Sequence, residues 1–182
     1  MAIGYNLAEK RNLAFSSNSN SNGICVFISH VKDDKPLAIS VGEYIKKAGY
    51  NIYLDIEDDE LQKAASASDA AKITACIEKG IEASTHVMCI VSERTVRSWW
   101  VPYEIGFSKK CGKGISSLTH KDTSTMPEYL QIGFLIRGIK GLNSYLESIK
   151  ADVKKFSVSI PGTLTSEYTN NHPLEAYLEK YR

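Results

Sequence analysis

The sequence predicts an α/β protein, a central parallel sheet of five strands with helices on both faces. Two observations carry this. Short continuous apolar runs recur along the chain, as strands covered on both faces require. Stretches with apolar residues at helical spacing alternate with them, and a βαβαβα order argues for parallel strands.

Ile24-Cys25-Val26-Phe27-Ile28 reads as the first strand. Leu37, Val41, Tyr44, Ile45 and Ala48 then form one helical stripe, stopped at Gly49. Tyr50 to Leu54 is the second strand, and Asp55 to Glu60 an acidic loop. A second helix built on Ile73, Ile77 and Ile81 ends near Ser84, and Val87 to Val91 is a third buried strand. The Trp99-Trp100 segment opens a third helix that runs through about Lys110. Ile115–Thr119 and Phe134–Ile139 read as the fourth and fifth strands, with Leu142, Leu146 and Ile149 as a helical stripe after them. Residues 160–182 have a turn-like start and a short terminal helix near Leu174–Leu178. At the other end, the polar run 16–23 reads as a flexible linker. Before it, Tyr5, Leu7, Leu13 and Phe15 mark a small helix or a docking arm. The expected organisation is therefore 1–22 as N-terminal segment and linker, 23–150 as the domain, and 151–182 as a C-terminal extension.

With 182 residues, one domain with a real core is expected. Charges nearly cancel, 22 Lys+Arg against 21 Asp+Glu, so no global field favours nucleic acid or an anionic membrane. No apolar run approaches the roughly 20 residues that span a bilayer, and the N-terminus has no signal-peptide pattern. Cys25, Cys76, Cys89 and Cys111 are widely spaced, which suits reduced thiols better than a zinc site or disulfide frame. A cytoplasmic address is the expectation.

Ser98-Trp99-Trp100-Val101-Pro102-Tyr103-Glu104 is the most informative stretch. Four residues is about one helical turn, so Trp100 and Glu104 should share a helix face at the mouth of the sheet, where open α/β folds place ligands. A carboxylate beside a flat aromatic suits a cationic, sugar-bearing substrate and suggests glycosidic chemistry on a nucleotide. Pro102 is tolerable only in a first helical turn, which places Glu104 near the positive end of the helix dipole and should keep it ionised. Read alone, Glu104 could equally be a solvated first-turn glutamate, and Trp100 or Tyr103 a packed aromatic. Ser29 and His30 stand at a strand's carboxyl end, where ligands bind, although a histidine there is commonly a loop residue. The acidic run 55–60 reads as solvated, with no metal expected.

These pieces together resemble a TIR (Toll/interleukin-1 receptor) domain of the bacterial kind over roughly residues 23–150. The resemblance rests on Phe27-Ile28-Ser29-His30 with Asp33-Asp34, on Tyr53-Leu54-Asp55, on Cys76 to Ser84 followed by a strand ending Val91-Ser92, and on Trp100-x-x-x-Glu104. It implies a flavodoxin-like three-layer fold. One departure is that Ser66-Ala67-Ser68-Asp69 stands where the family usually has Gly-Asp.

Many family members cleave NAD+ between ribose and nicotinamide. The resemblance implies Glu104 as catalytic residue and Ser29, His30, Asp55, Trp100 and Tyr103 as substrate-binding residues. NAD+ would be the substrate, and no cofactor is implied. Nicotinamide leaves as a neutral amine, so one carboxylate can suffice where ordinary glycosidases need two. The resemblance extends to the stand-alone, signal-producing proteins of Thoeris-like anti-phage defence, where an ADP-ribose-derived product activates a separate effector. It also implies self-association, with residues 55–70 of a neighbour completing the site. The alternatives are a non-catalytic TIR scaffold and a nucleoside deoxyribosyltransferase-like enzyme. A receiver domain fits poorly because no Asp follows the third strand, and a Rossmann dehydrogenase because no G-x-G-x-x-G follows the first.

Overall fold

The computed structural model describes residues 3–9, 23–154 and 171–180. Five parallel strands, β1 (Cys25–Ser29), β2 (Asn51–Tyr53), β3 (His86–Val91), β4 (Gly114–Thr119) and β5 (Phe134–Arg137), form one sheet in the order β2-β1-β3-β4-β5. This is the flavodoxin-like order, in which β1 and β3 flank the point where the winding reverses. Successive side chains of a strand face opposite ways, so each strand supplies both layers. Val26, Ile28, Met88, Ile90, Leu118 and Ile136 pack with α1 (Lys35–Lys47) and α5 (Gly138–Lys154). Phe27, Val87, Cys89 and Val91 pack with α2 (Asp59–Ser66), α3 (Ala70–Glu82) and α4 (Trp100–Lys110). The three-layer α/β expectation is therefore the observed fold.

Local chemistry explains the boundaries. Gly49, with φ 87°, ends the turn after α1 in a conformation that glycine adopts without strain. At Gly80 a Cβ would come within 2.5 Å of the Tyr53 ring, so glycine is what lets α3 approach β2. The fifth strand stops at Arg137 rather than 139, because Gly138 (φ 63°) turns the chain directly into α5.

The acidic stretch after β2 corrects the sequence reading. A 3-10 turn at Asp55–Glu57 leads into α2, so most of residues 55–70 are helical. Asp58 makes this possible: its carboxylate accepts from Glu60 N and Leu61 N and caps the helix, while Leu61 and Ala64 bury. Ser68, in the segment where the family usually carries glycine, takes φ 54°, the left-handed conformation that costs a side-chain-bearing residue energy.

Residues 3–9 dock beside β2 through a parallel bridge between Asn6 and Ile52, with Leu7 N donating to Ile52 O and Ile52 N to Tyr5 O. Residues 10–22, including Leu13, Phe15 and most of the Ser/Asn run, lie outside the described residues. The expected terminal helix is one turn, closed by Leu178 N donating to Leu174 O (2.8 Å), and both leucines bury in the α1/α5 layer. Among the described residues, no helix is long and apolar enough to cross a membrane.

Candidate functional site

Pro102 sets where α4 begins. Lacking an N–H, it cannot bond back to the carbonyl of residue 98, and the first regular turn starts at Trp100. Trp99 is the N-cap and offers no side-chain bond, but Ser98 Oγ just before it accepts from Val101 N (3.1 Å). At 100° per residue, Trp100, Tyr103 and Phe107 then share one stripe, while Val101, Ile105 and Ser108 turn toward the sheet. Glu104 falls on the border between the two.

The structure resolves that border inward. Glu104 is buried at 4% exposure, and Ser29 Oγ donates to its Oε2 at 2.5 Å. Ser29 is the last residue of β1 and pairs in register with Cys89 of β3, so the acid lies over the switch point of the sheet. Burial pushes the Glu104 carboxyl up to about 8, opposed by the Ser29 hydroxyl and reinforced by the charge of Asp55. This corrects the expectation of an ionised first-turn glutamate. Removal from water outweighs the helix dipole, so burial favours the neutral acid.

His30 and Asp55 meet beside it, His30 Nδ1 lying 3.8 Å from Asp55 Oδ1 and 3.2 Å from the Ile28 carbonyl oxygen. Asp55 Oδ1 is buried without a hydrogen-bond partner, an acceptor waiting for a donor. Burial raises the Asp55 carboxyl above the usual range, with the facing His30 acting in the opposite sense.

The aromatic residues take a different course. Trp100, 40% exposed, lies edge-on to Tyr103 with ring centroids 6.2 Å apart. Tyr103 donates its hydroxyl to Glu78 Oε1 of α3 at 2.5 Å, and that bond pushes the phenol up to about 12. Tyr103 is thus committed to the α3–α4 contact. The structure brings Ser29, Asp55 and His30 toward Glu104 and turns Tyr103 away.

Cys89 and Tyr129 escaped the sequence reading, as did the bonding network around Asp34, a residue quoted there only as part of the Asp33-Asp34 pair. Cys89 is fully buried beside Ser29, and both the Glu104 charge and burial hold its thiol up. Tyr129 feels the charges of Cys89 and Glu104 besides its own burial, and its phenol rises to about 12. Buried Asp34 accepts from Ser92 Oγ (2.5 Å) and Arg94 Nη1 (3.1 Å), tying the end of β3 to the start of α1. Strand alternation could have flagged Cys89, two residues before Val91 on the same face as Ser29. Tyr129 and the Asp34 network have no such local signal. Among the described residues, no group of three metal-ligating side chains could hold an ion.

The parallel order β2-β1-β3-β4-β5 with a buried acid at its switch point defines a doubly wound α/β protein, whose candidate site lies at the carboxyl edge. The chain belongs to the TIR domain family, whose profile matches residues 26–130, more than half of it. It is similar to a Bacillus cereus (strain MSX-D12) protein named "Probable 3' cyclic ADP-D-ribose synthase ThsB'", 28% identical over 83 residues, 45% of this chain. It is also similar to a Cytobacillus dafuensis protein named "Putative cyclic ADP-D-ribose synthase TIR2", 26% identical over 98 residues, 53% of this chain. The matches span 42% and 25% of those relatives' own lengths. In fold, the TIR domain of the Toll-related receptor TRR-2 of Hydra magnipapillata superposes with a TM-score of 0.54 at 15% identity, covering 71% of this chain and 97% of that one.

Proposed function

We propose that this protein cleaves the nicotinamide–ribose bond of NAD+, with Glu104 as the catalytic carboxylate, and makes an ADP-ribose-derived signal. The single observation that carries the reading is a carboxylate buried at the switch point and held by Ser29. The two relatives named as cyclic ADP-D-ribose synthases supply the substrate class.

In the reaction the C1′–N bond breaks with its electron pair going to the pyridinium nitrogen. Positive charge passes to the sugar, and nicotinamide departs neutral. Ionised Glu104 stabilises that charge most where water is excluded. A cationic nicotinamide ring beside the carboxyl lowers its pKa, so substrate binding itself favours the useful state. Asp55, with its unsatisfied Oδ1, and His30 are placed to accept and orient ribose hydroxyls. Trp100 offers an exposed aromatic wall. Water adding at C1′ and losing a proton gives ADP-ribose; capture by another nucleophile of the same molecule gives a cyclic product. A separate effector that senses this product, and a role in anti-phage defence, belong to the same proposal.

Self-association is part of it. Val96, Trp99 and Trp100 form an exposed apolar patch at the start of α4, with Trp99 91% exposed, and residues 55–70 of a second copy would cover it. Activity per molecule should then fall on dilution; a flat dilution series would remove the neighbour from the account.

The test is to incubate concentrated protein with NAD+ and resolve the products by mass. Nicotinamide with ADP-ribose means hydrolysis, and nicotinamide with a product one water lighter means cyclisation. Intact NAD+ together with base exchange on deoxynucleosides would replace this reading with a deoxyribosyltransferase. If Glu104→Ala leaves the biological activity intact, the protein is a scaffold.

A further inference from the structure

A cavity of about 190 Å³ opens at the carboxyl ends of β4 and β5, and Glu104 is not among the residues that line it. Its floor is the last register pair of the sheet, Thr119 beside Arg137. The chain after β4 makes one wall with His120, Lys121 and the hydroxyl residues Thr123, Ser124 and Thr125. The docked tail closes another side, with Lys121 N donating to Tyr177 O and Ile139 N to Glu179 O.

The chemistry of this lining is lopsided. Lys121 and Arg137 are both exposed. Among the described residues neither takes part in an ion pair, whereas Arg94, Lys72, Lys79 and Lys180 all do. Against these two cations stand the carboxylate of Glu179 on the lining and, behind the wall, those of Glu93 bonded to Ser124 and Asp122 beside His120. His120 Nδ1 accepts from Asp122 N (3.2 Å), and the Asp122 carboxylate lies 3.6 Å from the same nitrogen. The wall is built rather than loose: Glu93 Oε1 takes Ser124 N and Oγ, and Thr123 Oγ1 donates to Val91 O. Two cations on the lining of a small polar cavity match an anion with several acceptor oxygens. The volume is below the roughly 300 Å³ where pockets for drug-sized ligands begin, so it suits one phosphate or diphosphate group and not a whole dinucleotide.

We propose that this cavity binds a phosphate-bearing group through Arg137 and Lys121. The group is either the diphosphate of a nucleotide whose remainder lies outside the cavity or free inorganic pyrophosphate. The site does not depend on the reaction assigned to Glu104.

Calorimetric titration of the full chain with pyrophosphate, and separately with ADP-ribose, tests it. Wild type should bind pyrophosphate, and Arg137→Gln and Lys121→Gln should each weaken binding about tenfold. Glu179→Gln should tighten binding, an outcome that a misfolded variant cannot mimic. Glu104→Gln should bind like wild type, which separates this site from the catalytic proposal. Parallel losses for ADP-ribose identify a nucleotide as the source, and losses for pyrophosphate alone identify the free anion. No binding of pyrophosphate to wild type, or equal affinity in wild type, Arg137→Gln and Lys121→Gln, overturns the proposal.

Discussion

The two layers that sandwich the sheet are built to different rules. Against α1 and α5 the strands present Val26, Ile28, Met88, Ile90, Leu118 and Ile136, hydrocarbon and thioether throughout. Against α3 and α4 the same strands present Cys25, Phe27, Val87 and Val91 but also Ser29 and Cys89, and α4 itself buries Glu104 over them. The first layer holds the fold together by area alone. The second gives up some of that gain at its carboxyl edge to keep an acid out of water. A buried carboxyl whose main partner is a single serine hydroxyl is poor stabilisation, and that is the physical reason to assign it a task.

The largest effect should come from the apolar layer. Ile90→Ala, at a fully buried position, should cost about 2–5 kcal/mol in urea unfolding, with little dependence on pH. A loss under about 1 kcal/mol would mean this layer is not the main support.

Glu104→Gln should behave in the opposite way. Its carboxyl is raised from 4.5 to about 8 in the folded protein, so its contribution to stability is complete below the unfolded value and is lost as pH rises through about 8. The glutamine variant lacks that loss. Its stability relative to wild type should therefore climb between about pH 5 and 8, by at most about 1.4 kcal/mol per pH unit and a few kcal/mol in all. Parallel stability curves for the two proteins would show that the acid ionises freely.

Ser29→Ala removes the hydroxyl that favours the carboxylate. If the proposed reaction holds, kcat/KM should rise with pH near 8 as Glu104 ionises, and in this variant that rise should move up by roughly one pH unit. An unmoved profile would detach the serine from the acid. The smallest effect lies away from both layers. Ser68→Gly relieves a left-handed φ of 54° and should stabilise by about 1 kcal/mol, read as a rise in the unfolding midpoint.

Much of this contrast was legible in the sequence. Continuous apolar runs such as Val87 to Val91 mark strands covered on both faces, and the helical stripes between them give the order. The four-residue step from Trp100 to Glu104 marks the position over the switch point. The shift of the Glu104 carboxyl was hidden, because it depends on burial in the folded chain and on Ser29 and Asp55, 75 and 49 residues away. The helix within 55–70 was hidden by its acidic composition, since an aspartate that caps a helix looks the same in sequence as one in a solvated loop. The cavity at Arg137 was hidden because its walls come from two strand ends and a tail that meet only in the folded chain.

The central claim is that Glu104 is kept buried for chemistry and not for stability. The most direct test is the rate of nicotinamide release from NAD+ by wild type and Glu104→Gln, measured at pH 8 on samples whose unfolding midpoints are determined alongside. The account predicts that the variant is at least as stable as wild type and slower by roughly a thousandfold. A stable variant that releases nicotinamide at the wild-type rate would contradict it.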